Sequence, residues 1–146
     1  MTPQERARQS ADAMWAGDAA SQAMGFRLVS VGPGTAEMSF EVRPDQLNGH
    51  GICHGGFIFA LADSAFAFAC NSYNALCVAQ HNTISYLSPA EAGETLTARA
   101  VEVSRAGRSG LYDVTVTAGD GRLVAAFRGA SRQIKGAHFD EAAAAE

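Results

Sequence analysis

The sequence predicts an α+β domain in which an antiparallel sheet of about five to six strands wraps one long buried helix. Three observations carry that reading. Residues 57–70, Phe-Ile-Phe-Ala-Leu-Ala-Asp-Ser-Ala-Phe-Ala-Phe-Ala-Cys, are apolar on every side, the mark of a helix surrounded by protein. On either side of that run the apolar residues recur with a period of two, as in strands with one face in a core. The order is short helices, two strands, the apolar helix and four strands, with no internal repeat.

Each element has a local cause. Thr2-Pro3-Gln4-Glu5 is a capping box with proline at the first helical position, so a helix runs to Met14 or Trp15 and stops near Gly17. Asp18 caps a second, short helix that ends at Met24, with Gly25 as terminator. These N-terminal helices, within residues 1–24, read as packing elements. Ala36, Met38, Phe40 and Val42 then alternate with Glu37, Ser39, Glu41 and Arg43, and Gly32-Pro33-Gly34 supplies a turn. Residues 26–31 and 35–43 therefore form a hairpin, which Pro44 closes. The glycine-rich loop 48–56 leads into the apolar helix, where alanine at 60, 62, 65, 67 and 69 favours helix over strand. Strands follow at 76–87, 94–105, 111–118 and 123–134, joined by glycine turns at 107–110 and 119–121.

The chain has 146 residues, 47% hydrophobic and 18% charged, which is the make-up of one domain, taken as 1–136. The remaining 137–146 is low in complexity and reads as a flexible, frayed tail. A core of this size needs neither disulfides nor a structural metal. Three cysteines at irregular spacing point to a reducing, cytoplasmic compartment. A net charge of -4 argues against a nucleic-acid partner held by bulk electrostatics. No apolar stretch is long enough for a membrane span, and Gln4, Glu5, Arg6, Arg8 and Asp12 break up any export signal.

Asp63 stands out, because Asp63, Ser64 and Cys70 are the only polar side chains in the apolar run. An unpaired buried carboxylate costs several kcal/mol or shifts its pKa upward. It either accepts hydrogen bonds in a structural role or performs chemistry. Gly55 and Gly56 open the same helix, so their N–H groups lack intrahelical partners and lie at its positive end. They suit an oxyanion hole, or else merely a tight turn. Gly55 and Asp63 are eight residues apart, about 12 Å along one helix, whereas a reacting carbonyl must lie about 3 Å from both. A catalytic role for both therefore requires two chains, with helices antiparallel about a two-fold axis.

His50, Cys53 and His54, with distant Cys70, Cys77 and His81, lack the paired spacing of a metal site. Cys53 beside His54 is a weak nucleophile–base pair, since adjacent loop residues usually point apart. Gly49-His50-Gly51 is not a dinucleotide loop, because no βαβ unit surrounds it.

Asn48, then His54-Gly55-Gly56, then Asp63 on an alanine-rich helix followed by four strands, resembles the hot-dog fold acyl-CoA thioesterases over nearly the whole chain. Phe127-Arg128-Gly129 with Ser131, and residues 107–113, resemble the phenylacetate-degradation subgroup. That resemblance implies hydrolysis of phenylacetyl-CoA or hydroxyphenylacetyl-CoA type thioesters. Asp63 would be the general base or nucleophile, and Gly55 N–H would polarise the carbonyl. Asn48 would hold the water or the carbonyl region, and His54 would orient the loop. Gly56 would contact substrate.

The resemblance implies no metal or redox cofactor, coenzyme A being part of the substrate. It implies a homodimer as active unit, paired into a homotetramer. Some relatives carry a hydroxyl residue after the helix; that position falls near Ala79, with Thr83 or Ser85 as possible substitutes. Seven of the eleven Lys and Arg residues lie in the last three strands and their turns, and Arg108 and Arg128 are the candidates for the coenzyme A phosphates. Phe57, Phe59, Phe66, Phe68 and Tyr73 are candidates for an acyl slot. The alternatives are an enoyl-CoA hydratase-like enzyme of the same fold, or a non-catalytic acyl-CoA binding module.

Overall fold

A computed structural model describes residues 1–145. Helix α1 spans Pro3–Ala16 and begins with the reciprocal capping box, Thr2 Oγ1 accepting from Glu5 N–H while Glu5 accepts from Thr2 N–H. Helix α2, Ala19–Ala23, is capped by Asp18. Strands β1 (Arg27–Gly32) and β2 (Thr35–Glu41) form the hairpin, with Gly34 at φ +70° in its turn. After a 3₁₀ turn at Pro44–Gln46 comes α3, Gly55–Cys70. Strands β3 (Cys77–Tyr86), β4 (Thr95–Ala106), β5 (Ser109–Ala118) and β6 (Leu123–Gln133) follow, and Glu141–Ala144 forms α4.

The six strands make one antiparallel sheet in the order β1-β2-β4-β5-β6-β3, with α3 laid across one face. This is the α+β arrangement expected, with six strands. Consecutive β2 and β3 lie far apart in the sheet because α3 intervenes and carries the chain to the opposite edge. Ile58, Leu61, Ala65 and Phe66 seal the helix against buried residues of the sheet such as Met38, Phe40, Leu96 and Val116. The Phe66 ring lies 5.6 Å from Tyr112 and 5.9 Å from Phe127, centroid to centroid. Gly129 makes this possible, since a Cβ there would stand 2.8 Å from the Phe66 ring. Among the described residues no helix is long and apolar enough to cross a membrane.

One expectation needs correction. Helix α3 is not covered on every side: Gly56 is exposed, and Ala60, Asp63 and Ala67 are half-buried. These positions share one stripe by helical spacing. Hydropathy could not show this, because alanine reads as apolar whether or not anything covers it. Within the segment 137–146, read from composition as a tail, residues 138–141 make polar contacts with the rest of the fold. Asn74, at φ +58°, accepts the N–H groups of His138 and Phe139 and donates to the Phe139 carbonyl. Arg6 of α1 pairs with Glu141, and Asp140 caps α4. The anchors are polar side chains distant in sequence, which composition cannot reveal.

The sheet's two edges differ. Helix α1 packs beside β1, whereas β3 is exposed along most of its length. A register shift between Ala79 and His81 interrupts the β3–β6 pairing. From Asn82 onward alternate residues face α3: Asn82 and Ile84 are half-buried and Tyr86 reaches Gly55, while Thr83 and Ser85 are exposed.

Candidate active site

The loop before α3 is held at both ends of its final segment. Cys53 N–H donates to the Ala90 carbonyl at 2.7 Å and His54 N–H to the Gln46 carbonyl at 2.8 Å. His54 is the N-cap of α3, and its Nδ1 accepts from Gly56 N–H at 2.9 Å. The imidazole thus orients the loop, and it also occupies one of the two glycine donors. Gly56 N–H is not free for a ligand. Gly55 N–H has no partner among the described residues, as expected of the first helical position.

Asn48 bends the glycine loop back on itself, its Oδ1 accepting from His50 N–H at 2.9 Å and Ile52 N–H at 3.3 Å. Its amide nitrogen makes no bond among the described residues and is left available. The Tyr86 hydroxyl donates to the Gly55 carbonyl at 3.1 Å. A Cβ on Gly55 would stand 3.2 Å from the Tyr86 ring, so this close approach is why glycine belongs there. Between them opens a cleft of about 470 Å³ lined by Asn48, Ile52, Gly55, Ile58, Tyr86 and Leu87.

Asp63 lies two turns farther along α3 and is not among the residues lining this cleft. It is half-buried, and Asn82 Nδ2 of β3 donates to its Oδ1 at 3.0 Å. Burial pushes the Asp63 carboxyl above its ordinary value, and the Asn82 hydrogen bond partly opposes that. Neighbouring Ser64 faces the other way, its hydroxyl 3.4 Å from that of Ser21 on α2. Strand β3 therefore tracks α3 in reverse, with Tyr86 at Gly55, Asn82 at Asp63, and the Cys77 backbone held by Asn71 at the end of the helix.

Residues 50–125 match the thioesterase superfamily. The chain is 42% identical to the acyl-coenzyme A thioesterase PaaI of Escherichia coli K12 over 94% of its length and 98% of that protein. The E. coli PaaI structure superposes with a TM-score of 0.92, covering 93% of this chain and 99% of that one at 41% identity. The chain belongs to the thioesterase superfamily. Two further structures extend the likeness. A mutant of the phenylacetic acid degradation protein PaaI from Thermus thermophilus matches at TM-score 0.76 and 42% identity, over 78% of this chain and 97% of that one. The protein smu.793 of Streptococcus mutans UA159, solved with acetyl CoA, matches at TM-score 0.74 and 28% identity, over 77% and 90%. This thioesterase is accordingly a thioester hydrolase of the PaaI kind, on the hot-dog fold.

Other expectations for the thioesterase meet mixed outcomes in the structure. Arg128 is not a free cation, since its guanidinium forks onto Asp113 at 2.6 and 2.8 Å and holds that carboxyl below its usual range. Arg108, exposed in the β4–β5 turn, has no ion pair among the described residues. Phe66 and Phe68 are spent in the core, Phe59 packs edge-on to Phe127, and the Tyr73 hydroxyl binds Glu102. The apolar walls of the cleft are instead Ile52, Ile58, Tyr86 and Leu87. Burial pushes the Cys53 thiol up to about 11, which removes it as a nucleophile near neutral pH. Ala79, Thr83 and Ser85 make no bond to Asp63; Asn82, which sequence reasoning missed, does so instead. The available signal was strand alternation, because an inward Ile84 and Tyr86 place residue 82 on the same face.

Proposed function

We propose that this thioesterase hydrolyses acyl-coenzyme A thioesters whose acyl part is a phenylacetyl or hydroxyphenylacetyl group, using Asp63 of one chain and Gly55 of another. The observation that carries the reading is a split pair. Gly55 keeps an unspent N–H beside a cleft, while a half-buried carboxylate sits about 12 Å away along the same helix. Neither can serve one carbonyl within its own chain. The stripe of Gly56, Ala60, Asp63 and Ala67 supports a second helix lying antiparallel against it, since small side chains permit close approach. The unpaired β3 edge supports the same arrangement, because an open edge is a ready template for pairing. The active unit is a homodimer with two composite sites, paired further into a homotetramer.

In such a site the substrate carbonyl accepts from Gly55 N–H, and charge gathering on its oxygen is stabilised by that donor and by the positive end of α3. Asn48, with its amide nitrogen unspent, holds the carbonyl region. His54 keeps the loop in place. Asp63, biased by burial toward accepting a proton, acts as base or nucleophile. Coenzyme A is the carrier because the E. coli relative is an acyl-coenzyme A thioesterase and the S. mutans relative was solved with acetyl CoA. Arg108, unpaired at the surface, is the phosphate contact.

Asp63→Ala tests this directly. Thiol release from phenylacetyl-CoA should disappear while the circular dichroism spectrum stays that of the folded protein; turnover at the wild-type rate would overturn the role of Asp63. A panel of acyl-CoA thioesters, read by the same thiol release, ranks the acyl groups. Hydroxyacyl product without thiol would point to a hydratase, and tight binding without product to a binding module.

A further inference from the structure

At the end of α3 away from the cleft lie two thiols that the proposed site does not use. Cys70 is the last residue of the helix and is buried, while Cys77 is the first residue of β3 and is half-buried. The stretch 71–76 turns the chain back between them. Both residues line one narrow pocket under the β4–β5 turn, together with Arg105, Gly110, Tyr112 and Ser131. Asn71 sets the pair in place. Its Nδ2 donates to Cys70 Sγ at 3.5 Å and to the Cys77 carbonyl at 3.2 Å, and its Oδ1 accepts from Cys77 N–H at 2.9 Å. Cys77 packs against the core cluster that contains Cys70, so its side chain lies off the backbone edge that β3 leaves open.

We propose that Cys70 and Cys77 are a hydroperoxide-reactive dithiol, Cys77 the attacking sulfur and Cys70 the resolving one, which closes to a disulfide joining the end of α3 to the start of β3. The inference does not depend on the roles of Asp63 and Gly55. With hydrogen peroxide as oxidant, the Cys77 thiolate attacks one peroxide oxygen. An S–O bond forms, the O–O bond breaks, and the departing oxygen takes back from solvent the proton that Cys77 had released, leaving as water. The Cys70 sulfur then attacks the sulfenic sulfur of Cys77. The S–S bond forms, the S–O bond breaks, and the hydroxyl leaves with the Cys70 proton as a second water. The two sulfurs together give up two electrons, and one peroxide becomes two waters.

The division of roles follows from the surroundings. The Cys77 thiol is lowered to about 7, chiefly by the neighbouring Cys70 thiol, with burial opposing and the Arg105 guanidinium adding to the effect. The Cys70 thiol is pushed up by Cys77 and by burial, so it holds its proton while Cys77 is a thiolate. Oxidation of Cys77 removes that negative charge and frees Cys70 to attack. Near pH 7 about half of Cys77 is thiolate, against about one part in ten thousand of Cys53, whose thiol burial pushes up to about 11.

The test treats the full chain with hydrogen peroxide, unfolds it, alkylates it with N-ethylmaleimide and weighs it by mass spectrometry. Wild type should fall from three alkylatable thiols to one and lose the mass of two hydrogens, with dithiothreitol restoring all three. Chymotrypsin cuts after Tyr73 and Leu76, between the two sulfurs, and should leave the peptides carrying Cys70 and Cys77 joined until they are reduced. The pair should disappear at least about 10-fold faster than Cys53. Cys70→Ala cannot close the bond and should leave Cys77 as a sulfenic acid that dimedone captures. Cys77→Ser should keep Cys53 and Cys70 free over the same time.

Three free thiols after the treatment, a bond that includes Cys53, a crosslink between chains, or oxidation of wild-type Cys77 that stops short of a bond would each overturn the proposal. If Cys70→Ala does not fold, the wild-type peptide map decides alone.

Discussion

Along one side of α3, Ile58, Leu61, Ala65 and Phe66 are sealed against the sheet, while along the other Gly56, Ala60, Asp63 and Ala67 remain partly open. The sealed side is built by complementary size, a phenyl ring set over a glycine and leucine set among β2 and β4 residues. None of these four open positions carries a side chain larger than aspartate, so they offer little area to a core and leave a carboxylate half in water. The two sides have similar hydropathy and opposite purposes. One makes the fold, and the other carries the acid of the proposed site at some cost in stability.

Substitutions on the two sides should separate these purposes. The largest loss of stability is expected for Leu61→Ala, which removes a fully buried side chain between α3 and the sheet and should cost about 2–5 kcal/mol in denaturant unfolding. Next, Gly129→Ala would drive a Cβ to 2.8 Å from Phe66, whose ring is itself enclosed, and should cost about 1–3 kcal/mol. The smallest change, of opposite sign, is expected for Asp63→Asn on the open side.

The Asp63 sign follows from its raised folded pKa. Below the ordinary value of 3.8 the carboxyl is neutral in both folded and unfolded chains and burial carries no charge penalty. As pH rises through 3.8 toward the higher folded value, ionisation favours the unfolded chain and wild type loses stability. Asparagine does not titrate, so the melting temperature of Asp63→Asn should draw ahead of wild type over that window and keep its lead at neutral pH. Equal melting curves at every pH would show that water already relieves the buried charge.

Much of the fold was legible because its signals are local. The capping box at Thr2, the glycine turn at Gly34 and the period-two strands each depend on neighbours within a few residues, and all appear in place. The candidate site was legible in part. Gly55 and Asn48 line one cleft, His54 caps the helix beside Gly55, and Asp63 lies off the cleft. That Arg128 pairs with Asp113 was not legible, because the two are close only once β5 and β6 pair. Nor could the sequence show that the His54 imidazole caps the Gly56 N–H.

By itself the sequence determined the element order, the single wrapped helix, the isolated acid and its distance from the helix start, since these follow from periodicity and from the fixed rise of a helix. Only the tertiary structure decided which side of α3 stays open, and that Asn82, rather than a hydroxyl residue, meets Asp63. It also decided that Asn74 and Arg6 hold residues 138–141. Those outcomes depend on register: a one-residue shift in β3 changes every partner it presents to α3, and no local pattern records such a shift.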